Sequence, residues 1–178
     1  GRMIPEADFL RLLDTFAPEI DAIEESLTGD KYFSPQGIFL AIALSWFTEN
    51  DVKAAVLEVG RGGRFDDISV VPNKLSLFTP IMLEHPDYIG PTIERIAWHK
   101  AGIIKPYSYA YSVPQPLEVL NVLEAEATAV GAEFNWIAAR DMGLYVGTND
   151  DGIQIDMGRY GIVTLSLMGR YQIPNATL

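Results

Sequence analysis

Two rhythms of apolar positions run along this chain. Phe9, Leu10, Leu12, Leu13 and Phe16 recur at helical spacing behind Ile4-Pro5-Glu6, where a proline in the first turn with acids beside it suits a helix start. Pro18 is expected to kink or end that helix. A second helix is expected from Pro35, with Ile38, Phe39, Ile42, Trp46 and Phe47 as candidate core positions. The rhythm then changes. Ala54-Ala55-Val56-Leu57-Glu58-Val59 is apolar on both faces up to the glutamate, the pattern of a buried strand, and the loop Gly60-Arg61-Gly62-Gly63-Arg64 follows it. A further apolar strand is expected through Leu75–Thr79 and a helix from Pro91 to about Ala101. A strand near Ser108–Val113, a helix over Pro116–Val130 and a strand near Phe134–Ile137 come next. The remainder reads as a hairpin, Leu144–Val146 and Ile153–Met157 about the turn Asn149-Asp150-Asp151-Gly152, and then a strand through Ile162–Leu167.

Helices alternating with buried strands predict an α/β fold, a mostly parallel sheet flanked by helices with a small β appendage near the C-terminus. At 178 residues without a repeat or low-complexity tract, residues 1–178 are expected to form a single domain. Composition narrows the partners. The balance of 48% hydrophobic and 21% charged residues is that of a globular chain, and no apolar run is long enough to span a bilayer. No basic-then-apolar leader is evident, and the expected location is cytoplasmic. The absence of cysteine excludes disulfides, thiolate catalysis and cysteine-ligated zinc. A net charge of -11 argues against nucleic acid as the main partner, whereas a phosphate substrate stays open, because a metal ion and local amides outweigh the overall field.

Open α/β sheets bind ligands where strands end. There the sequence sets Glu58, a glycine turn with Arg61 and Arg64, then Asp66 and Asp67; the strand after it leads to His85, and Lys100 stands near the end of the following helix. Taken singly, each reads as ordinary surface chemistry: a solvated strand end, a loop histidine, a lysine whose stem lies along the surface. His99 reads as helix surface. Together, carboxylate, imidazole and lysine beside a glycine turn suit a magnesium-assisted phosphoryl site, with the glutamate as the natural oxygen ligand and the histidine a borderline one.

Leu57 through Asp66, read L-E-V-G-R-G-G-R-F-D, resembles the motif L-E-V-G-x-G-G-R-x-D of folylpolyglutamate and dihydrofolate synthases, members of the Mur ligase superfamily. His85-Pro86-Asp87-Tyr88-Ile89-Gly90 is similar to their H-x-D-x-L-G, and Thr92 through Lys105 to T-I-E-x-I-A-x-x-K-A-G-I-x-K. Leu167 through Ala176 resembles L-x-G-x-H-Q-x-x-N-A. The resemblance implies the central domain of an ATP-dependent amide ligase. ATP phosphorylates a folate or pteroate carboxylate and the amine of glutamate attacks the acyl phosphate. It implies magnesium held by Glu58 and His85, with Lys100, at the family's carbamylated position, as the third member. Gln172 and Asn175 fall in the nucleotide motif, Asp66 matches an acid that contacts the pterin ring, and Arg64 beside it is assigned to substrate.

The chain also departs from the family. The phosphate loop, G-T-N-G-K-G-S or similar, and the C-terminal glutamate-ligase domain are missing, so the expectation is a partial central domain that is inactive alone and binds neither ATP nor Mg2+ tightly. An incomplete sheet leaves unpaired edges, which predicts self-association. Ser34-Pro35-Gln36-Gly37 replaces a T-x-F-E-like motif, and Tyr171-Gln172 replaces H-Q. Two alternatives follow: a Mur-type ligase with a non-folate acceptor, or a non-catalytic binding or scaffold domain that kept the sheet.

Overall fold

In the computed structural model, which describes residues 2–84 and 86–178, the chain divides into two compact units: one of residues up to Arg61 plus Asp66–Val70, the other of Gly62–Phe65 plus Val71–Leu178. The first unit is built on two helices, α1 (Glu6–Ser26) and α2 (Pro35–Glu49). They bury Leu12 and Ile42 against each other, with Phe9 and Phe39 ring centroids 6.1 Å apart and the Trp46 indole N–H donating to Asp8 at 3.3 Å. Pro18 does not end α1, contrary to one of the two outcomes expected of it. The helix runs through the proline to Ser26, so the missing N–H removes one rung while the following Glu-rich turn keeps helical geometry. Of the five expected core positions on α2 only Ile42 is buried, and Phe39 is largely exposed.

The larger correction concerns Ala54–Val59. This run is neither strand nor buried: no described residue pairs with it, and Val56 is 96% exposed. An apolar run becomes a strand only through a ladder to a neighbour, and here the ladder is missing.

The second unit holds two sheets. Strands β1 (Leu75–Phe78), β2 (Tyr109–Ser112) and β3 (Glu133–Trp136) are parallel in that order, with Leu75 opposite Tyr109 and Tyr109 opposite Glu133. Parallel neighbours require crossovers. The first carries the short α3 (Pro86–Ile89) and then α4 (Ile93–Ala101); the second carries α5 (Leu117–Val130). Helix α4 is capped by the Thr92 hydroxyl, which accepts from Arg95 N at 3.2 Å, and α5 stops at Gly131 in the left-handed conformation (φ 70°). Ile96, Ala97 and Ala101 of α4 and Val119, Leu123 and Ala127 of α5 pack with Phe78 and Ala110 of the sheet into one core. The alternate strand residues Leu75, Leu77, Tyr109 and Tyr111 remain exposed, so this core covers one face of the sheet.

The second sheet is antiparallel: β4 (Leu144–Asn149), β5 (Gly152–Asp156) and β6 (Ile162–Leu165), with β5 central and Ile153 and Ile155 buried. Asn149 Oδ1 accepts from the N–H groups of Asp151 and Gly152, closing the expected hairpin turn. A short helix, α6 (Gln172–Thr177), ends the chain. The α/β class, the parallel sheet and the C-terminal β appendage agree with the sequence expectation.

Candidate functional site

In the first unit, Glu58 is exposed on the irregular run that leads to Gly60. The turn beyond it is organised by Asp66. Its carboxylate accepts from Gly60 N (3.2 Å), Ile68 N (3.0 Å) and the Gln36 amide (3.2 Å). A Cβ at Gly60 would come within 2.7 Å of Gln36 Oε1, so a side chain there would push the Gln36 amide aside. The side chain assigned to a substrate ring thus has three internal donors.

In the second unit, the segment Gly62–Phe65 lies against the last turn of α4. Arg64 N donates to His99 O at 2.7 Å, and Arg64 Nε and Nη2 approach Trp98 O at 3.4 and 3.3 Å. The same guanidinium reaches the Glu126 carboxylate on α5 at 2.5 Å and lies over the Trp98 ring at 4.0 Å. The guanidinium of Arg95 sits 4.1 Å from the same ring. Phe65 meets His99 edge to face, with centroids 5.5 Å apart. Burial first, then the charges of Arg95 and Arg64, holds the His99 imidazole below its usual pKa. Burial and then Arg64 lower the Lys105 ammonium similarly.

At the residue after this cluster, Lys100 Nζ pairs with Glu84 at 2.7 Å, with side chains 24% and 43% exposed. Glu84 as a partner was not anticipated; an acid next to His85 in the loop after β1 was the available signal. His85 itself lies outside the described residues. Among the described residues no group of three His, Cys, Asp or Glu is placed to hold a metal ion. Magnesium takes oxygen donors, and Lys100 as an ammonium paired with Glu84 is not one. In this state the described residues do not fit the ion.

Gln172 and Asn175 are bonded to one another across a turn of α6, Asn175 Nδ2 donating to Gln172 Oε1 at 3.0 Å. The helix is tied to the β appendage by Thr177, whose hydroxyl accepts from Gly143 N at 3.0 Å. Arg170, just before α6, stacks on Tyr145 at 3.9 Å; that phenol is lowered in pKa first by its hydrogen bond with Thr148 and then by Arg170. A crevice of about 840 Å³ opens beside the carboxyl ends of β2 and β3, lined by Tyr111, Ile137, Arg140, Asp156, Arg159 and Tyr160 among others. Ligands of open α/β sheets sit at such an edge. Its arginines come from short 3-10 turns, Ala139–Asp141 and Gly158–Tyr160, with no motif, so the sequence offered no signal for them.

No family model matches the chain. It is similar to the dihydrofolate synthase/folylpolyglutamate synthase of Mycobacterium tuberculosis, with 31% identity over all of this chain and 40% of that protein. The folylpolyglutamate synthase structure from Thermotoga maritima matches with a TM-score of 0.82 at 28% identity, over 99% of this chain and 40% of the other. A folylpolyglutamate synthase complex with AMPPCP and folate matches with a TM-score of 0.82 at 25% identity, over 99% of this chain and 44% of that one. The chain spans about two fifths of the length of the curated relatives it matches.

Proposed function

Since the homologues of this chain over its whole length are folylpolyglutamate and dihydrofolate synthases, we propose that it is part of an ATP-dependent ligase joining glutamate to a folate- or pteroate-type carboxylate. The observation carrying this reading is the match in fold, over 99% of this chain and 44% of the other, to a folylpolyglutamate synthase complex with AMPPCP and folate. In the proposed reaction ATP phosphorylates the acceptor carboxylate, and the glutamate amine displaces phosphate to form the amide. Such chemistry needs the reacting groups aligned and charge on the transferring phosphoryl group neutralised.

The motif matches carry Glu58, His85 and Lys100 over as the metal-side residues, with Lys100 a donor only once its amine is converted to a carbamate. Bound magnesium would supply phosphoryl charge neutralisation. Gln172 and Asn175 carry over to the nucleotide. The pair they form leaves the Asn175 carbonyl, the second hydrogen of the Asn175 amide and both hydrogens of the Gln172 amide to contact a base. The proposed setting is the cytoplasm, with residues 1–178 as a partial central domain. Alone, this chain is expected to hydrolyse no ATP and to bind ATP with magnesium only weakly; robust turnover, or a micromolar dissociation constant by calorimetry, would contradict that. The outer edges of the three-stranded parallel sheet, unpaired among the described residues, are proposed as a site of self-association. Light scattering tests it, and a clean monomer at high concentration removes it.

A second reading, a related ligase with a non-folate acceptor, is favoured by one specific observation. Gln36, in the segment that departs from the family motif, donates to the carboxylate of Asp66, which the resemblance aims at a pterin. Mass spectrometry after incubating the natural protein with ATP, magnesium, glutamate and a panel of carboxylate acceptors separates the two. A glutamylated folate supports the first reading, glutamate on another acid the second, and no adduct with any acceptor contradicts both.

A further inference from the structure

Helix C-termini leave their last carbonyls unpaired, and a cation placed there both satisfies them and opposes the helix dipole. At the end of α4 this role falls to Arg64, a residue from the glycine loop rather than from the helix. Its backbone N–H takes the His99 carbonyl and its guanidinium the Trp98 carbonyl. Two glycines make the approach possible. A Cβ at Gly63 would lie 2.9 Å from both the His99 and Lys100 carbonyl oxygens, and one at Gly102 would lie 2.4 Å from Arg64 Cα. The guanidinium is then fixed from a third element by Glu126 of α5; the two side chains are only 22% and 17% exposed, so the pair is poorly screened. Loop, α4 and α5 are locked at the residues that immediately precede Lys100.

We infer that Arg64 and Glu126 are positioning residues: their ion pair clamps the Gly62–Phe65 loop onto the last turn of α4 and thereby fixes the direction in which Lys100 is presented. Arg64 on this account does not read the substrate. Its fork is occupied by Glu126 and a carbonyl, and its flat face by Trp98. The reaction-level consequence rests on the ligase reading of Lys100, whereas the clamp itself does not.

The test uses Glu126→Gln, which keeps shape and removes charge, and Arg64→Lys, which keeps charge and removes the fork, in the natural protein. Lysine side-chain NMR follows the Lys100 ε-methylene, and steady-state kinetics follow glutamate ligation. Either substitution is expected to shift or broaden the Lys100 signal, although neither residue touches its amine. Each should lower kcat about tenfold with the acceptor KM changed less than about twofold, and the double variant should be little worse than either single one. An unchanged Lys100 signal in both variants would overturn the clamp. So would a raised acceptor KM in Arg64→Lys with Glu126→Gln silent, the signature of a substrate-reading arginine. If the unaltered protein ligates nothing, the ligase reading fails while the Lys100 signal still decides the clamp; if Glu126→Gln does not fold, Arg64→Lys decides it.

Discussion

Gly102 sets two physical effects of opposite sign against each other. It follows α4 with φ −62° and ψ −7°, a conformation any residue adopts, so local propensity favours alanine. On that ground alone Gly102→Ala should stabilise the fold by roughly 0.4–1 kcal/mol, chiefly by restricting the unfolded chain. Packing argues the other way. The new methyl would stand 2.4 Å from Arg64 Cα and Cβ and 2.8 Å from Arg64 Cγ, and two of those atoms are backbone-anchored. Relieving such contact requires moving the loop off α4, which strains both the Arg64–His99 hydrogen bond and the Arg64–Glu126 pair. Overpacking of this kind costs about 1–3 kcal/mol. The net expectation is a loss of about 1–2 kcal/mol, and at roughly 2–4 °C per kcal/mol for a chain of this size Tm should fall by about 2–8 °C. Thermal unfolding followed by far-UV circular dichroism measures it. An unchanged or raised Tm would mean that loop and helix are not in close contact, and the clamp argument would lose its base.

Two further expectations concern the same unit. Ile96 is fully buried at the centre of the core, and Ile96→Ala should cost about 2–5 kcal/mol in urea unfolding; a loss below about 1 kcal/mol would mean that this core is not packed as described. Because the folded His99 titrates below its ordinary value near 6.5, the unfolded chain takes up that proton first. This contribution is fully present above that pH and is lost as pH falls through the folded pKa, and His99→Gln should flatten that part of the stability profile. An NMR titration placing His99 at or above 6.5 would contradict the assignment.

Much of the second unit was legible because its signals are local. Pro116 opens α5, the Asn149–Gly152 turn announces the β4–β5 hairpin, and Pro91 stands just ahead of α4. The misreading of Ala54–Val59 has a different origin. Its composition is that of a buried strand, but strand formation is a property of two segments, and sequence shows only one of them. Pro18 does not end α1 for the converse reason: one lost rung is a local penalty that a long helix absorbs. At the site, Glu58, Asp66 and Lys100 stood out through motif and spacing. The partners that determine what those residues do, Glu84 for Lys100 and Gln36 for Asp66, did not. Nor did Glu126, a helix-surface glutamate by pattern, whose meeting with Arg64 follows only from the packing of α5 beside α4.

The proposed reaction is tested most directly by isotope transfer. An acceptor whose carboxylate carries oxygen-18 is incubated with the natural protein, ATP, magnesium and glutamate, and the released phosphate is analysed by phosphorus NMR. An acyl phosphate passes one carboxylate oxygen to phosphate, so the account predicts one labelled oxygen per phosphate released, in step with amide formed. Amide formed with unlabelled phosphate, or phosphate release that is indifferent to acceptor and glutamate, would contradict it.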